Sequence, residues 1–155
     1  MALTKSSQKE EMHSKIIHEY ALNPRTRAVI LIDLIDSETI QFLLDAGEDI
    51  GIACVDISRL NNSLTAGFDA FVSDGKSGRI DIVGAVKSGV VPILPLQNDF
   101  PKTFQEFDPM KFEGNAFLFA TSNKYLIFEK LIRYLENIKY PGDKRTLLAN
   151  VGKTF

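Results

Sequence analysis

The chain has no tryptophan and one cysteine, Cys54, in 155 residues. A lone cysteine excludes an internal disulfide and argues against a zinc site built on paired thiols. Cys54 lies in the apolar run IGIACVDI, which predicts an inert packed thiol rather than a reactive one. Basic excess is also lacking. Eighteen Lys and Arg stand against twenty Asp and Glu, for a net charge of −2, so the electrostatic footprint of a nucleic-acid binder or an anionic-membrane binder is missing. No apolar run approaches the ~20 residues of a membrane span. The opening MALTKSSQKEEMHSK lacks the apolar stretch of a secretory signal. A cytoplasmic protein is therefore expected, with no nucleic-acid or membrane partner.

Histidine is scarce. His13 and His18 are five apart, about 500° of helix, so they do not share a face as an i, i+4 metal pair would. Both are expected to be ordinary surface or boundary residues. Ser73 and Ser77 have no histidine near them in sequence, which argues against a Ser-His-Asp triad. There is no Gly-x-Gly-x-x-Gly and no Walker loop. No internal repeat or low-complexity segment is visible.

What is present is a regular alternation. Ser6 or Ser7 is the expected cap of a first helix running to about Leu22, with Glu10 at capping-box spacing from Ser7, after residues 1–5 that are expected to fray. Ala28–Ile32, Ile50–Ile57, Ala70–Ser73, Val90–Leu94 and Ala116–Ala120 read as strands. Ser37–Gly47, with Ser37 as cap and Gly47 as stop, Arg79–Ser88, with Ile82, Val83 and Val86 inward, and Asn123–Ile138 read as helices. Leu126, Ile127, Leu131, Ile132 and Leu135 are the expected buried stripe of the last of these. Ser58–Gly67 is expected as a short helix or turn. Pro92 and Pro95 suggest a fourth strand that is short or ends beside open space. The connection Gln97–Glu113 carries Phe100, Phe104, Phe107 and Phe112. Four aromatics predict that it packs down, with a helical turn near Phe104. Pro141-Gly142 breaks the chain before a final short helix, Asp143–Val151.

Strands alternating with helices imply parallel pairing through right-handed crossovers. The expected architecture is a single α/β domain spanning 1–155, a Rossmann-like three-layer α/β/α sandwich with about five strands. Ligands in such sheets sit beyond the carboxyl ends of the strands, where strand order reverses. The candidate loops are Asp33–Asp36, Ser73–Gly78, Leu96–Asp99 and Ala120–Asn123. Backbone amides of Asp74-Gly75-Lys76-Ser77-Gly78 with the Lys76 ammonium could receive a phosphate. The plainer reading is a helix-entry turn, since the upstream glycine of a P-loop is missing. Asp33, Asp36 and Asp74 could gather around a hard cation such as magnesium. The plainer reading is helix caps and solvated loop ends, with no metal and no cofactor.

Several words recur in the order of one known family. SSQK at Ser6–Lys9 is similar to a Ser-Gln-Lys-Gly helix entry, and AVILIDLID to a strand with a Gly-x-Gly-Asp turn. AGFDAFVSD at Ala66–Asp74 is similar to Ala-Gly-Ala-Asp-Ala-Phe-Leu-Met-Pro-Ser. AVKSGVVPIL at Ala85–Leu94 is similar to Ala-Met-Arg-Tyr-Gly-Thr-Val-Pro-Ile-Val, and EGNAFLF at Glu113–Phe119 to Gly-Thr-Gly-Phe-Val-Phe. Together they resemble the C-terminal domain of glycogen and starch synthases, retaining glycosyltransferases of the GT-B type. The departures fall on the ligand positions that the resemblance implies. Lys9 matches the lysine of the Arg-x4-Lys pair that grips the nucleotide diphosphate, but Thr4 stands for the arginine. Asp33 and Ile35 replace the turn glycines. Lys76 and Gly84 replace the paired glutamates that hold sugar and ribose, and Gln97-Asn98-Asp99 replaces Thr-Gly-Gly. An anionic nucleotide sugar would meet Asp33 and Asp99. The resemblance implies a degenerate, non-catalytic relative acting as a binding or regulatory module. Its partner would be a protein or a nucleotide sugar. The residues left to touch a ligand are Lys9, Asp33, Asp36, Asp74, Lys76 and Asn98. An active half that needs a partner domain is the enzymatic alternative.

FDAFVSD also resembles the strand of receiver domains that ends in a phospho-accepting aspartate, here Asp74. Asp33 would be its acidic partner. The expected lysine after the fifth strand falls near Ala120, and no switch Ser or Thr follows the fourth strand. That resemblance implies a pseudo-receiver.

Overall fold

The computed structural model describes residues 5–60, 62–96 and 103–155. Among these residues five parallel strands form one sheet in the order β2-β1-β3-β4-β5. They are β1 (Val29–Asp33), β2 (Ala53–Asp56), β3 (Ala70–Ser73), β4 (Val91–Pro95) and β5 (Phe117–Phe119). Among the described residues five α-helices accompany them: α1 (Lys5–Glu19), α2 (Ser37–Asp49), α3 (Ile82–Lys87), α4 (Lys124–Ile138) and α5 (Pro141–Gly152). Two 3-10 turns, Ile57–Arg59 and Asn62–Gly67, bridge β2 to β3. The expected Rossmann-like α/β sandwich is the observed fold.

The connection through α2 runs toward one edge of the sheet and that through α3 toward the other. Right-handed crossovers therefore put the two helices on opposite faces. α4 packs on β4, β5 and α2, in the layer of α2. α5 touches both α4 and α3, crossing between layers. Central strands covered on both faces must be apolar throughout. Every residue of β1 and β3 is buried. Phe68, Phe71, Phe117 and Phe119 are the largest fully buried side chains. The Phe117 ring meets Tyr134 edge-on at 5.9 Å.

β4 is an interior strand despite its two prolines. Val91 N donates to Asp69 O on the β3 side. Peptide groups alternate sides along a parallel strand, so Pro92 N faces β5. Pairing with β5 begins only at Ile93 with Phe117, so the missing N–H costs no ladder bond. Pro95 N faces β3, where pairing has already ended at Val72 with Ile93. Both prolines sit just outside the ladder they would interrupt.

Several expected boundaries move for local reasons. α1 already includes Lys5, so Ser6 and Ser7 lie inside the helix rather than ahead of it. It ends at Glu19, ahead of Leu22, where Ala21 turns to φ +51°. Asp36, not Ser37, caps α2, its carboxylate accepting from Thr39 N at 3.3 Å and Thr39 Oγ1 at 2.6 Å. Gly47 is buried inside that helix rather than ending it, because a Cβ there would crowd Cys54 Sγ and Ile52 Cγ1 at 3.1 Å. Asp81 caps α3 through Gly84 N, so the helix starts at Ile82. Ala85 and Val86 are its buried residues and Val83 is exposed. Gly89, at φ +84°, is the expected left-handed stop. Pro141 opens α5 at its first turn, where no N–H is needed. Leu126 and Ile132 face outward on α4, and Tyr134 takes part in the buried stripe. Phe104 and Phe107 pack down as expected, but Phe112 is exposed and the segment at Phe104 is not helical. Phe100 lies outside the described residues.

Candidate functional site

The sheet order reverses between β1 and β3, so their carboxyl ends are where a ligand would be expected. Asp33 ends β1 and is the register partner of Ser73, which ends β3. Asp33 and Ser73 are each 1 % exposed, and Asp74 is 5 % exposed. Ser73 Oγ donates to Asp33 Oδ2 at 3.2 Å and accepts from Gly75 N at 3.0 Å. Ser77 Oγ donates to the other carboxylate oxygen, Oδ1. Asp74 Oδ2 accepts from Ile35 N at 2.9 Å, and Oδ1 from Lys76 N at 2.8 Å. The first two candidate loops are thus sewn to each other by their own side chains.

Among the described residues the two buried carboxylates meet hydroxyls and backbone amides alone. Among the described residues no ion pair involves Asp33 or Asp74. Hydrogen-bond donors of this kind replace the water that a buried carboxylate loses. The Ser73 and Ser77 hydroxyls and the Ile35 and Lys76 amides at these strand ends are engaged by the two carboxylates.

Asp36 is exposed and turns to its own helix. The Thr39 hydroxyl holds its carboxyl below the usual range. It therefore does not converge with Asp33 and Asp74. No group of three metal-ligating side chains occurs among the described residues. Lys76 is exposed in the turn, flanked by Gly75 at φ +73° and Gly78 at φ +65°. Asn98 and Asp99 lie outside the described residues, as does Thr4. The cation that sequence reasoning passed over at this end is Lys124. Its Nζ reaches Glu38 Oε1 at 3.2 Å and lies 5.3 Å from the Phe42 ring centroid. Asn123 precedes it and caps α4 by accepting from Tyr125 N.

Lys9 is not part of this cluster. Its Nζ donates to Ala66 O and Phe68 O, both at 2.9 Å. Those carbonyls lead into β3, at the amino end of the sheet. Burial lowers the pKa of the ammonium, and Asp69 partly offsets the effect. His13 is beside it, with Nε2 3.1 Å from Asp69 Oδ2. The spacing of His13 and His18 says nothing of this partner, because Asp69 is fifty-six residues away in sequence. Asp69 is itself fixed by Val29 N at 2.8 Å.

Cys54 is half-buried beside Gly47, and burial pushes its thiol up to about 12. It is not a nucleophile at neutral pH. No helix among the described residues is long and apolar enough to cross a membrane.

No family model matches the chain, and no curated protein matches it. A solved structure does: the catalytic domain of starch synthase IV from Arabidopsis thaliana, bound to ADP and acarbose. The TM-score is 0.69 at 15 % identity, over 94 % of this chain and 38 % of that one. The chain thus spans well under half the length of that neighbour. Identity so low speaks to fold alone, and the fold is the Rossmann-like one seen in that glycosyltransferase.

Proposed function

We propose that the chain is a non-catalytic domain of glycosyltransferase ancestry, serving as a binding or regulatory module. One observation carries the reading. The strand ends where a nucleotide sugar would approach hold Asp33 and Asp74, both buried and already bonded to Ser73, Ser77, Ile35 N and Lys76 N. The matching lysine, Lys9, is turned to the opposite end of the sheet. The resemblance in sequence and the likeness in fold support the ancestry, and the filled strand ends support the loss of activity.

Titration calorimetry with ADP-glucose and UDP-glucose tests this. Neither should bind below millimolar concentration, and the chain alone should transfer no sugar. Micromolar binding of either would overturn the lost-site reading, and turnover would overturn the non-catalytic one. A second reading rests on the share of the neighbour that is covered, 38 %: this chain as one half of an active pair. Transfer appearing only when a second α/β domain is added would favour it.

A further inference from the structure

A cavity of about 550 Å³ opens at the amino end of the sheet, away from the strand-end cluster. That volume falls in the range of small-molecule sites. Val91, Ile138 and Leu148 give it an apolar side. Lys9, Tyr134 and Lys144 give it a polar one.

Tyr134 is the most informative of these residues. It is 2 % exposed, yet its hydroxyl has no hydrogen-bond partner among the described residues. No fully buried side-chain nitrogen or oxygen among those residues is left unsatisfied. The phenol oxygen therefore touches open space, and the space that Tyr134 lines is this cavity. A donor in such a position calls for an acceptor from outside the protein.

The charges point the same way. Two of the three Lys9 N–H groups go to Ala66 O and Phe68 O, which leaves one to give. Lys144 is close enough to lower the pKa of Lys9 by repulsion. Asp69, on the same wall, already shares Oδ2 between His13 Nε2 and Val29 N. Glu10 lines the cavity as well, and it is exposed. A single negative charge between Lys9 and Lys144 would relieve their repulsion and accept from Tyr134. A polyanion would meet Asp69 and Glu10. The apolar side favours a ligand with a hydrocarbon body over a bare ion.

We propose that this cavity binds a small amphipathic monocarboxylate, with its carboxylate on Lys9, Lys144 and the Tyr134 hydroxyl and its chain against Val91, Ile138 and Leu148. Such binding is independent of the strand-end cluster. The test is calorimetry of the full chain with hexanoate, with 1-hexanol and inorganic phosphate as comparators. Hexanoate should bind saturably in the millimolar range or below. Tyr134→Phe and Lys144→Gln should each weaken it roughly tenfold, the usual worth of a hydrogen bond to a charged group. Lys144 is exposed, so its variant keeps the test decisive even where Tyr134→Phe perturbs packing. Equal binding of hexanol would reduce the site to an apolar hole and overturn the proposal. Equal binding of phosphate would reduce it to a cation cluster and overturn the proposal as well. Absence of hexanoate binding, or variants that bind as the parent does, would also end it.

Discussion

Ser73 Oγ stands 3.2 Å from Asp33 Oδ2, joining the carboxyl ends of β1 and β3 at the reversal in strand order. Such ends normally leave their polar groups for a ligand. Here they are spent on each other. The cluster ties the two strand ends together, and its removal should register in stability.

Ser73→Ala deletes a hydroxyl that serves two partners, Asp33 Oδ2 and Gly75 N. Asp33 keeps Ser77 but loses one donor in a buried place. The expected cost is about 1–3 kcal/mol, the penalty of an unsatisfied buried group. Urea denaturation measures it. A cost near zero would show that water replaces the hydroxyl and that the end of the sheet is open.

Gly67 is the contact point of α1 on the second 3-10 turn. A Cβ there would lie 2.8 Å from the Met12 carbonyl carbon, Met12 Cβ and Ile16 Cδ1. The backbone of α1 cannot yield as a side chain would. Gly67→Ala should lower stability by roughly 1–3 kcal/mol through overpacking. Because α1 also supplies Lys9 to the cavity wall, hexanoate affinity should fall in the same variant. Unchanged melting would mean that α1 is loosely seated.

Glu106 closes the outer side of β5. Its Oε2 accepts from Leu118 N at 2.6 Å while Oε1 takes the Lys130 ammonium at 2.7 Å. An edge strand with a free N–H invites pairing with another chain. Glu106→Ala should therefore cost about 1–3 kcal/mol and raise self-association at high protein concentration. Glu106→Gln keeps an acceptor for Leu118 N and should cost less. Denaturation curves with sedimentation velocity separate the two effects.

Much of this architecture is legible in the sequence, and what is not has a common cause. Ala70–Ser73 and the Gly89 stop follow from local chemistry, apolar runs and a left-handed residue, and they appear where expected. Pro92 is tolerated in an interior strand because of where β5 starts, a fact of register rather than of composition. Gly47 misleads because its need is set by Cys54 and Ile52 across the helix–sheet packing, not by a helix end. Lys9 sits in a familiar word, yet its direction is fixed by two carbonyls fifty-seven and fifty-nine residues away. Local signals place elements well, whereas polar partners across the fold are not legible in them.

His13 gives the last prediction, one of pH. Its pKa is raised, first by the hydrogen bond to Asp69, with burial, Lys9 and Lys144 opposing. The groups facing it are Asp69, Lys9 and Lys144, with Glu10 and Tyr134 on the same cavity wall. A histidine whose folded pKa lies above its unfolded value stabilises the fold when protonated. That contribution is complete below the unfolded pKa of about 6.5 and is lost as pH rises through the folded pKa. The stability gap between the parent and His13→Gln should therefore be larger at acidic pH than at alkaline pH. Urea midpoints across that interval measure the gap, and since the ring is partly exposed the change should be modest. A gap that is flat with pH, or one that widens toward alkaline pH, would mean that Asp69 does not hold the imidazolium.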